Sequence, residues 1–395
     1  MKTLKLALAS LLALGFVSAA SAQTIVRLTG STAFRAAAYK AIEDSLAAGY
    51  TYGYVGTTLN KAGVAIFKGN LKTGGNSVIF KASFSGSVGG IATLVNNLTV
   101  GPGGTSFGGG GWLVNGSPTS TTGVEITSPS FDTAVTADVT MSDTFQASTR
   151  FTSPKLTGGR IVGIVPFVFT KNAGFPTTAT NITSTQAQTL LNGNLILSAL
   201  TGNPADTAKI LAVGRDEDSG TRLQAFADSG FGINSSPKQY ELLPVGGSSF
   251  NSSTLYPAQT VDGIAEPVGH SGYASGGTVA TVLNTATTFT NPRFIGYLGL
   301  NDNANVNGGA NALKFNNVAY STSTVEGGTY SFWGYEHLLY RGTLTGVAQT
   351  AANAVATALF NGDAAVSGIV TSAMKVHRNT DGGPILSGGT LPTGP

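Results

Sequence analysis

The sequence predicts an α/β fold divided into two lobes. Three observations carry that expectation. Apolar runs of strand length alternate along the chain with Ala- or Leu-patterned helical stretches. Turns rich in Gly and Ser repeatedly join a strand to the helix after it. Beyond the N-terminal leader, roughly 370 residues remain, enough for two cores.

The chain opens with Lys2 and Lys5, continues as an apolar run from Leu6 to Val17, and reads Ala20-Ser21-Ala22 before Gln23. A basic start, an apolar middle too short to span a bilayer and small residues at the end predict a signal peptide over residues 1–22, cleaved after Ala22. The product is expected to be periplasmic or secreted. Losing Lys2 and Lys5 lowers the formal net charge from +3 to +1, which argues against nucleic acid or an anionic membrane as partner. There is no cysteine, so disulfides, thiol nucleophiles and a lipid-bearing cysteine are excluded. The three histidines, His270, His337 and His377, form no local metal-ligand spacing, and neither metal nor cofactor is expected. The 54 glycines and a charged fraction of only 10% suit an extracellular surface rich in hydroxyls and amides. No fixed-period repeat is present.

Thr24–Leu28 reads as a buried strand, Gly30-Ser31-Thr32 as a turn, and Ala33–Leu46 as an Ala-rich helix. Strand-rich sequence follows over Tyr52–Phe67, with turns at Gly53 and Gly63. A strand over Val78–Phe84, a turn through Gly86–Gly90 and a helix over Ile91–Asn96 then repeat the opening logic. Residues 101–123 are mostly Gly, Ser, Thr and Pro and read as a long exposed loop or glycine-flanked hairpin. A short strand over Val135–Met141 stops at Ser142-Asp143. Residues 159–174 form a strand pair or one long strand crossing between lobes. "ITSTQAQTLLNG" carries a capping-box pattern ahead of a Leu-patterned helix. Lys209–Val213 is a strand feeding "GRDEDSGTR" and an amphipathic helix. Later come the helical "SGGTVATVLNTA", the strand "RFIGYLGLN", a hairpin-like pair around Asn316-Asn317, the β-rich "GGTYSFWGYEHLLYRG" and an Ala-rich helix ending at Gly362.

Three of these strand-to-helix turns carry small hydroxyl residues: Gly30-Ser31-Thr32, Gly86-Ser87-Val88-Gly89, and Arg215 through Ser219-Gly220-Thr221. Where a helix begins, the first N–H groups lack internal partners and the positive end of the dipole lies behind them. Gly and Ser there let an anion approach the backbone, and an Arg adds a bidentate, charge-assisted grip. Any one such turn alone is ordinarily a capped turn, and Arg215 alone an ion pair with a neighbouring acid. Their combination points to one anion held by several turns.

That set of segments resembles the periplasmic phosphate-binding protein of bacterial phosphate ABC importers, in the type II periplasmic-binding superfamily. "LTGSTAFRAAAY" is similar to the family's first strand, turn and helix; "FSGSVGGI" to its second phosphate loop; "VTMSDTF" to its strand ending in Ser-Asp; and "GRDEDSGTR" to its Arg-x-Asp-x-Ser-Gly-Thr signature. The resemblance is co-linear over nearly the whole chain after residue 22. It implies phosphate-binding roles for Ser31, Thr32, Ala33, Phe34, Ser87, Asp143, Arg215, Ser219, Gly220 and Thr221, with Glu217 steadying Arg215. It implies a two-lobed fold with residues 23–163 as lobe 1, including an insertion at 101–123 that has no counterpart in the family, 164–328 as lobe 2, and 329–395 returning to lobe 1. The implied partners are inorganic phosphate and the membrane permease of an ABC importer, the receptor itself being a monomer. Two departures bear on the anion: Ala33 stands where the family carries a hydroxyl, and Glu217 where it carries Asp.

Phosphate near neutral pH keeps a proton that sulfate lacks, so a carboxylate in a dry site accepts from the first and repels the second; Asp143 is the candidate acceptor. A phosphatase would need a general base beside a nucleophile or a pair of metals, for which the sequence offers no pattern. The remaining alternative is a secreted or cell-surface structural or adhesive protein reusing the fold. The aromatic run Tyr330, Phe332, Trp333, Tyr335 and Tyr340 reads as a buried crossing strand. Arg35 reads as a solvated charge or as a residue at a cleft mouth. The reading as a whole requires the Ser31, Ser87, Asp143 and Ser219 regions to meet at one place.

Overall fold

The computed structural model describes residues 23–101, 110–244, 250–261, 263–286, 289–388 and 391. The expected signal peptide over 1–22 lies outside the described residues, as does most of the first half of the 101–123 segment.

A ten-stranded mixed sheet organises the chain. Its strands are β1 (Thr24–Gly30), β2 (Thr51–Val55), β3 (Val64–Asn70), β4 (Ser77–Ser83), β5 (Val124–Glu125), β6 (Val139–Ser142), β7 (Gly158–Lys171), β8 (Ile210–Val213), β9 (Arg293–Gly299) and β10 (Trp333–Tyr340). Their order across the sheet is β8-β9-β7-β10-β6-β1-β4-β3-β2-β5. β1 runs parallel to both β4 and β6, so the turns after all three emerge at one edge. β8 runs parallel to β9.

The 14-residue β7 makes this one sheet. Its first part, Gly158–Pro166, pairs antiparallel with β10, and its last residues, Phe167–Lys171, pair antiparallel with β9. Ten successive residues of it, Ile161–Thr170, are buried. A run buried on both faces has no reason to alternate polar with apolar. Of the two expectations for 159–174, the single long strand is the one observed.

The helices used below are α1 (Arg35–Ser45), α2 (Ser87–Val95), α3 (Ser184–Leu191), α4 (Gly220–Ser229), α5 (Gly276–Thr285) and α6 (Gly346–Asn361). α3 begins with the capping box read from the sequence, Thr183 and Gln186 each bonding the other's backbone. Ser219 and Ser275 cap α4 and α5 by accepting from Arg222 N and Thr278 N. α6 buries Ala351, Ala352, Val355, Ala356 and Leu359, one face at helical spacing, against α1 and β7. Tyr330, Phe332, Trp333 and Tyr335 are all at 0% exposure and Tyr340 is buried too, so the aromatic run is core. Among the described residues no helix is long and apolar enough to cross a membrane.

Two local expectations change. Gly53 sits in the middle of β2 rather than at a turn; a side chain there would meet Pro118 O, so close backbone approach explains the glycine. The glycine-rich segment is exposed over much of its described end but not at its middle. Trp112 and Leu113 are fully buried, and the Trp112 indole donates to Val135 O at 2.9 Å.

Candidate functional site

The turns after β1, β4, β6 and β8 come together. Ser31 N donates to Met141 O at 2.9 Å and Gly86 N to Gly30 O at 2.8 Å, tying the first turn to the other two in its half of the sheet. The Ser87 hydroxyl accepts from Asp143 N at 3.2 Å. The fourth turn crosses over from the other half. Val88 N and Gly89 N donate to Asp218 O at 2.9 and 3.3 Å, so these α2 N–H groups meet a protein carbonyl rather than facing the centre.

Two glycines permit this approach. A Cβ on Gly86, whose φ is +106°, would lie 2.3 Å from Asp218 O; a Cβ on Gly220 would lie 1.6 Å from Asp143 Oδ1 and 2.8 Å from Ser87 Cβ. Asp143 thus packs directly against the first residue of α4. Gln224 of the same helix donates to Asp143 O at 2.8 Å.

Arg215 is fixed from several sides. Its Nε donates to Tyr273 O at 3.1 Å, its Nη2 to Ala274 O at 3.0 Å, and its amide to the Tyr297 hydroxyl at 3.1 Å. Its carbonyl accepts from Arg222 Nη1 at 2.9 Å and from Gln239 Nε2 at 3.0 Å. Nη2 also reaches Thr32 Oγ1 at 3.5 Å, across the two halves of the sheet. The cation is 2% exposed.

Ser31, Ser87, Asp143 and Gly220 are buried around this centre, with Thr32 at its edge; Ser219 and Thr221 are buried in the same turn as Gly220, and Ser219 caps α4 and lines a separate cavity with Glu217 and His270. Ala33 and Phe34 are placed differently. Ala33 lines an adjoining cavity of about 1040 Å³ together with Thr32, Arg35, Lys61 and Asp302. The Phe34 ring turns into the core against Gly163, leaving α1 to start without a side-chain cap. Arg35 is therefore at a cleft wall, not on the open surface. Glu217 does not hold Arg215. It accepts from the Ser271 hydroxyl at 2.8 Å and lies 3.5 Å from Arg222 and 3.6 Å from His270, because the turn at Asp216 sends it to the outer side. With Glu266 and His270 it forms the one cluster of metal-ligand type among the described residues, but Arg150 at 2.7 Å from Glu266 and Arg222 already supply positive charge there.

Burial drives Asp143 up to about 6, against the lowering effect of the Ser87 hydrogen bond and of Arg215. It is therefore largely ionised at neutral pH. Its Oδ1, Ser31 Oγ, Gln224 Oε1 and both carboxyl oxygens of Glu336 are buried without a hydrogen-bond partner among the described residues. Buried polar atoms of this kind are rare in proteins and collect at ligand sites. Glu336, Gln224 and Asp381, which accepts from Gln224 Nε2 at 2.6 Å and from Phe145 N at 2.9 Å, were not found from the sequence. No local motif marks them, since only β10's register and the fold of the last residues bring them here.

No family model matches the chain, and no curated protein matches it. Among solved structures it is similar to an ABC-type phosphate transport receptor from Vibrio cholerae, at 13% identity over 88% of this chain and 99% of that one, with a TM-score of 0.47. It is also similar to a phosphate-binding protein from Stenotrophomonas maltophilia, at 15% identity over 81% and 79%, TM-score 0.41. A human phosphate-binding apolipoprotein matches at 12% identity over 92% and 90%, TM-score 0.45.

Proposed function

We propose that the chain is an exported solute-binding protein that captures inorganic phosphate, or the isosteric arsenate, and delivers it to the permease of an ABC importer. In this reading residues 23–163 with 329–395 form one lobe and 164–328 the other, and the two close over the anion by a hinge through β7 and β10. Its role is binding rather than catalysis.

One observation carries the reading: four turns far apart in the chain converge on buried hydroxyls, a buried carboxylate and a buried arginine. Ser31, Ser87, Ser219 and Thr221 supply hydroxyls, and the first turns of α1 and α4 supply N–H groups with the dipole behind them. Arg215 supplies charge with little entropy left to lose, its guanidinium already held by two carbonyls. Asp143, ionised at neutral pH, accepts the proton phosphate carries. Sulfate has no such proton and meets only repulsion.

Calorimetric titration tests this. Phosphate and arsenate are expected to bind one per monomer, with sulfate weaker by 100-fold or more, on the order of 3 kcal/mol. Asp143→Asn should narrow that gap, and Arg215→Ala should weaken phosphate by at least about 30-fold. Heat from none of the three oxyanions refutes the reading.

A further inference from the structure

Glu336 lies within β10, far in sequence from every turn that builds the site, yet its position beside Asp143 follows from strand register. β10 pairs antiparallel with β6 up to His337 opposite Ser142. One step further along both chains stand Glu336 and Asp143, so two acids face each other just past the last paired residues. On its other side Glu336 pairs with Gly163 of β7, and a register shift between Glu336 and His337 makes this spot a bulge. Bulges turn a side chain out of the regular alternation and often stand beside functional sites.

The carboxyl is fully buried, and neither oxygen has a hydrogen-bond partner among the described residues. The Ser31 hydroxyl lies close enough to act on it as a hydrogen-bond donor, which favours the ionised form, although no bond of standard geometry is made between them. The ionisable groups around Glu336 are few. Asp143 repels its charge; Arg215 and Asp381 act on Asp143; and His337, next on the strand, is held neutral by burial and packs its ring on Phe145. On β7 its paired residue is Gly163, which the Phe34 ring and Ala364 pack against, so this neighbour brings no charge. With no cation against it and an acid beside it, the ionised form of Glu336 is disfavoured: burial and the Asp143 charge push it well above the usual carboxylate range, outweighing the lowering effect of the Ser31 hydroxyl.

We propose that Glu336 serves the site as a neutral carboxylic acid that donates its proton in a hydrogen bond to the bound oxyanion. The two acids then divide the work: Asp143 accepts the anion's own proton, and Glu336 gives one to an unprotonated oxygen. The site thereby gains a donor without adding positive charge, which keeps room for the charge of Arg215 alone to fix the anion's total. This assignment rests on the phosphate reading above.

The test is phosphate titration of the full mature chain from pH 5.5 to pH 9.5, for the wild type, Glu336→Gln and Glu336→Ala. Wild-type affinity should fall at alkaline pH by more than phosphate's own ionisation explains, as Glu336 loses its proton. Gln keeps an N–H donor at the same reach, so Glu336→Gln should bind within about 3-fold of wild type near pH 6.5 and lose that alkaline fall. Glu336→Ala should bind about 10-fold or more weakly, the cost of a hydrogen bond to a charged group. An infrared carbonyl band of a protonated carboxyl, present at pH 7, shifted by phosphate and absent in Glu336→Gln, reports the proton directly even where the Ala variant fails to fold. The assignment is overturned if Gln weakens binding as much as Ala, if Ala binds like wild type, or if the infrared band is missing. Wild-type protein that binds no phosphate at any pH overturns the reading beneath it instead.

Discussion

Gly220→Ala separates the closed arrangement from the fold itself. Gly220 opens α4 in ordinary helical backbone, so a methyl group there strains no dihedral. Its Cβ would instead lie 1.6 Å from Asp143 Oδ1, whereas ordinary contact begins at 3.4 Å. The carboxylate or the helix must therefore yield by about 1.8 Å, a misfit typically costing about 1–3 kcal/mol. The collision is between groups from the two halves of the sheet, so it penalises only the state in which they meet. Within α4 the same change favours the helix, by at most about 1 kcal/mol. Phosphate affinity should then drop by about 5- to 150-fold. Calorimetry gives the affinity. Thermal melts give a second reading, because ligand at 100 times the wild-type Kd adds about 2.7 kcal/mol to the wild type and only a few tenths if affinity falls 100-fold. A Gly220→Ala protein that binds phosphate within twofold of wild type refutes the contact as a feature of the bound state.

Asp143→Asn has a consequence for stability as well as for selectivity. A folded-state pKa near 6, above the ordinary 3.8, means the fold prefers the protonated acid; the penalty for ionising it grows as pH rises through 4 and is complete above about 6. Ligand-free Asp143→Asn should match wild type near pH 4 and exceed it at pH 7.5 by up to about 3 kcal/mol in urea unfolding. An equal difference at both pH values contradicts this. Arg378, fully buried 4.0 Å over the Trp333 ring, bonds Asp228 of α4 at 2.9 Å and so fastens the C-terminal segment to the helix that carries Gly220 and Gln224. Arg378→Ala should cost about 3–5 kcal/mol by leaving Asp228 buried alone, lowering the melting midpoint by about 5–10 °C; a shift under 2 °C would show the pair is dispensable.

Much of the candidate site's architecture was legible because its signals are local. A Gly-Ser turn between a strand and a helix needs only the residues of that turn, and the Ser31, Ser87 and Ser219 turns lie where the pattern put them. The Ser-Asp end of β6 was readable for the same reason. Glu217 misled because adjacency to Arg215 in sequence is not adjacency in space: the turn from Asp216 to Ser219 directs the two side chains to opposite sides, one to backbone carbonyls and one to Arg222. Glu336 and Gln224 were illegible because each is an ordinary residue in an ordinary element, made special by a register and a crossing that no short window contains. Trp112 was missed because glycine-rich flanks outweighed two apolar residues that found a core.

The contacts between the halves differ at the rim and at the centre. At the rim several groups meet a partner from the opposite half: Val88 and Gly89 amides with the Asp218 carbonyl, Arg150 with Glu266, Gln224 with the Asp143 carbonyl. These are backbone and charge-balanced contacts, individually modest in net stability. At the centre, Ser31 Oγ, Asp143 Oδ1, Gln224 Oε1 and the Glu336 carboxyl are desolvated without such partners, each costing about 1–3 kcal/mol. Rim contacts of about 1 kcal/mol apiece do not offset that, so under the proposed function closure is favoured when a polar guest engages the central atoms. Both acceptors and a donor acid are among them, which is why a partly protonated tetrahedral oxyanion, able to give and to receive hydrogen bonds at once, suits the centre better than a fully ionised one.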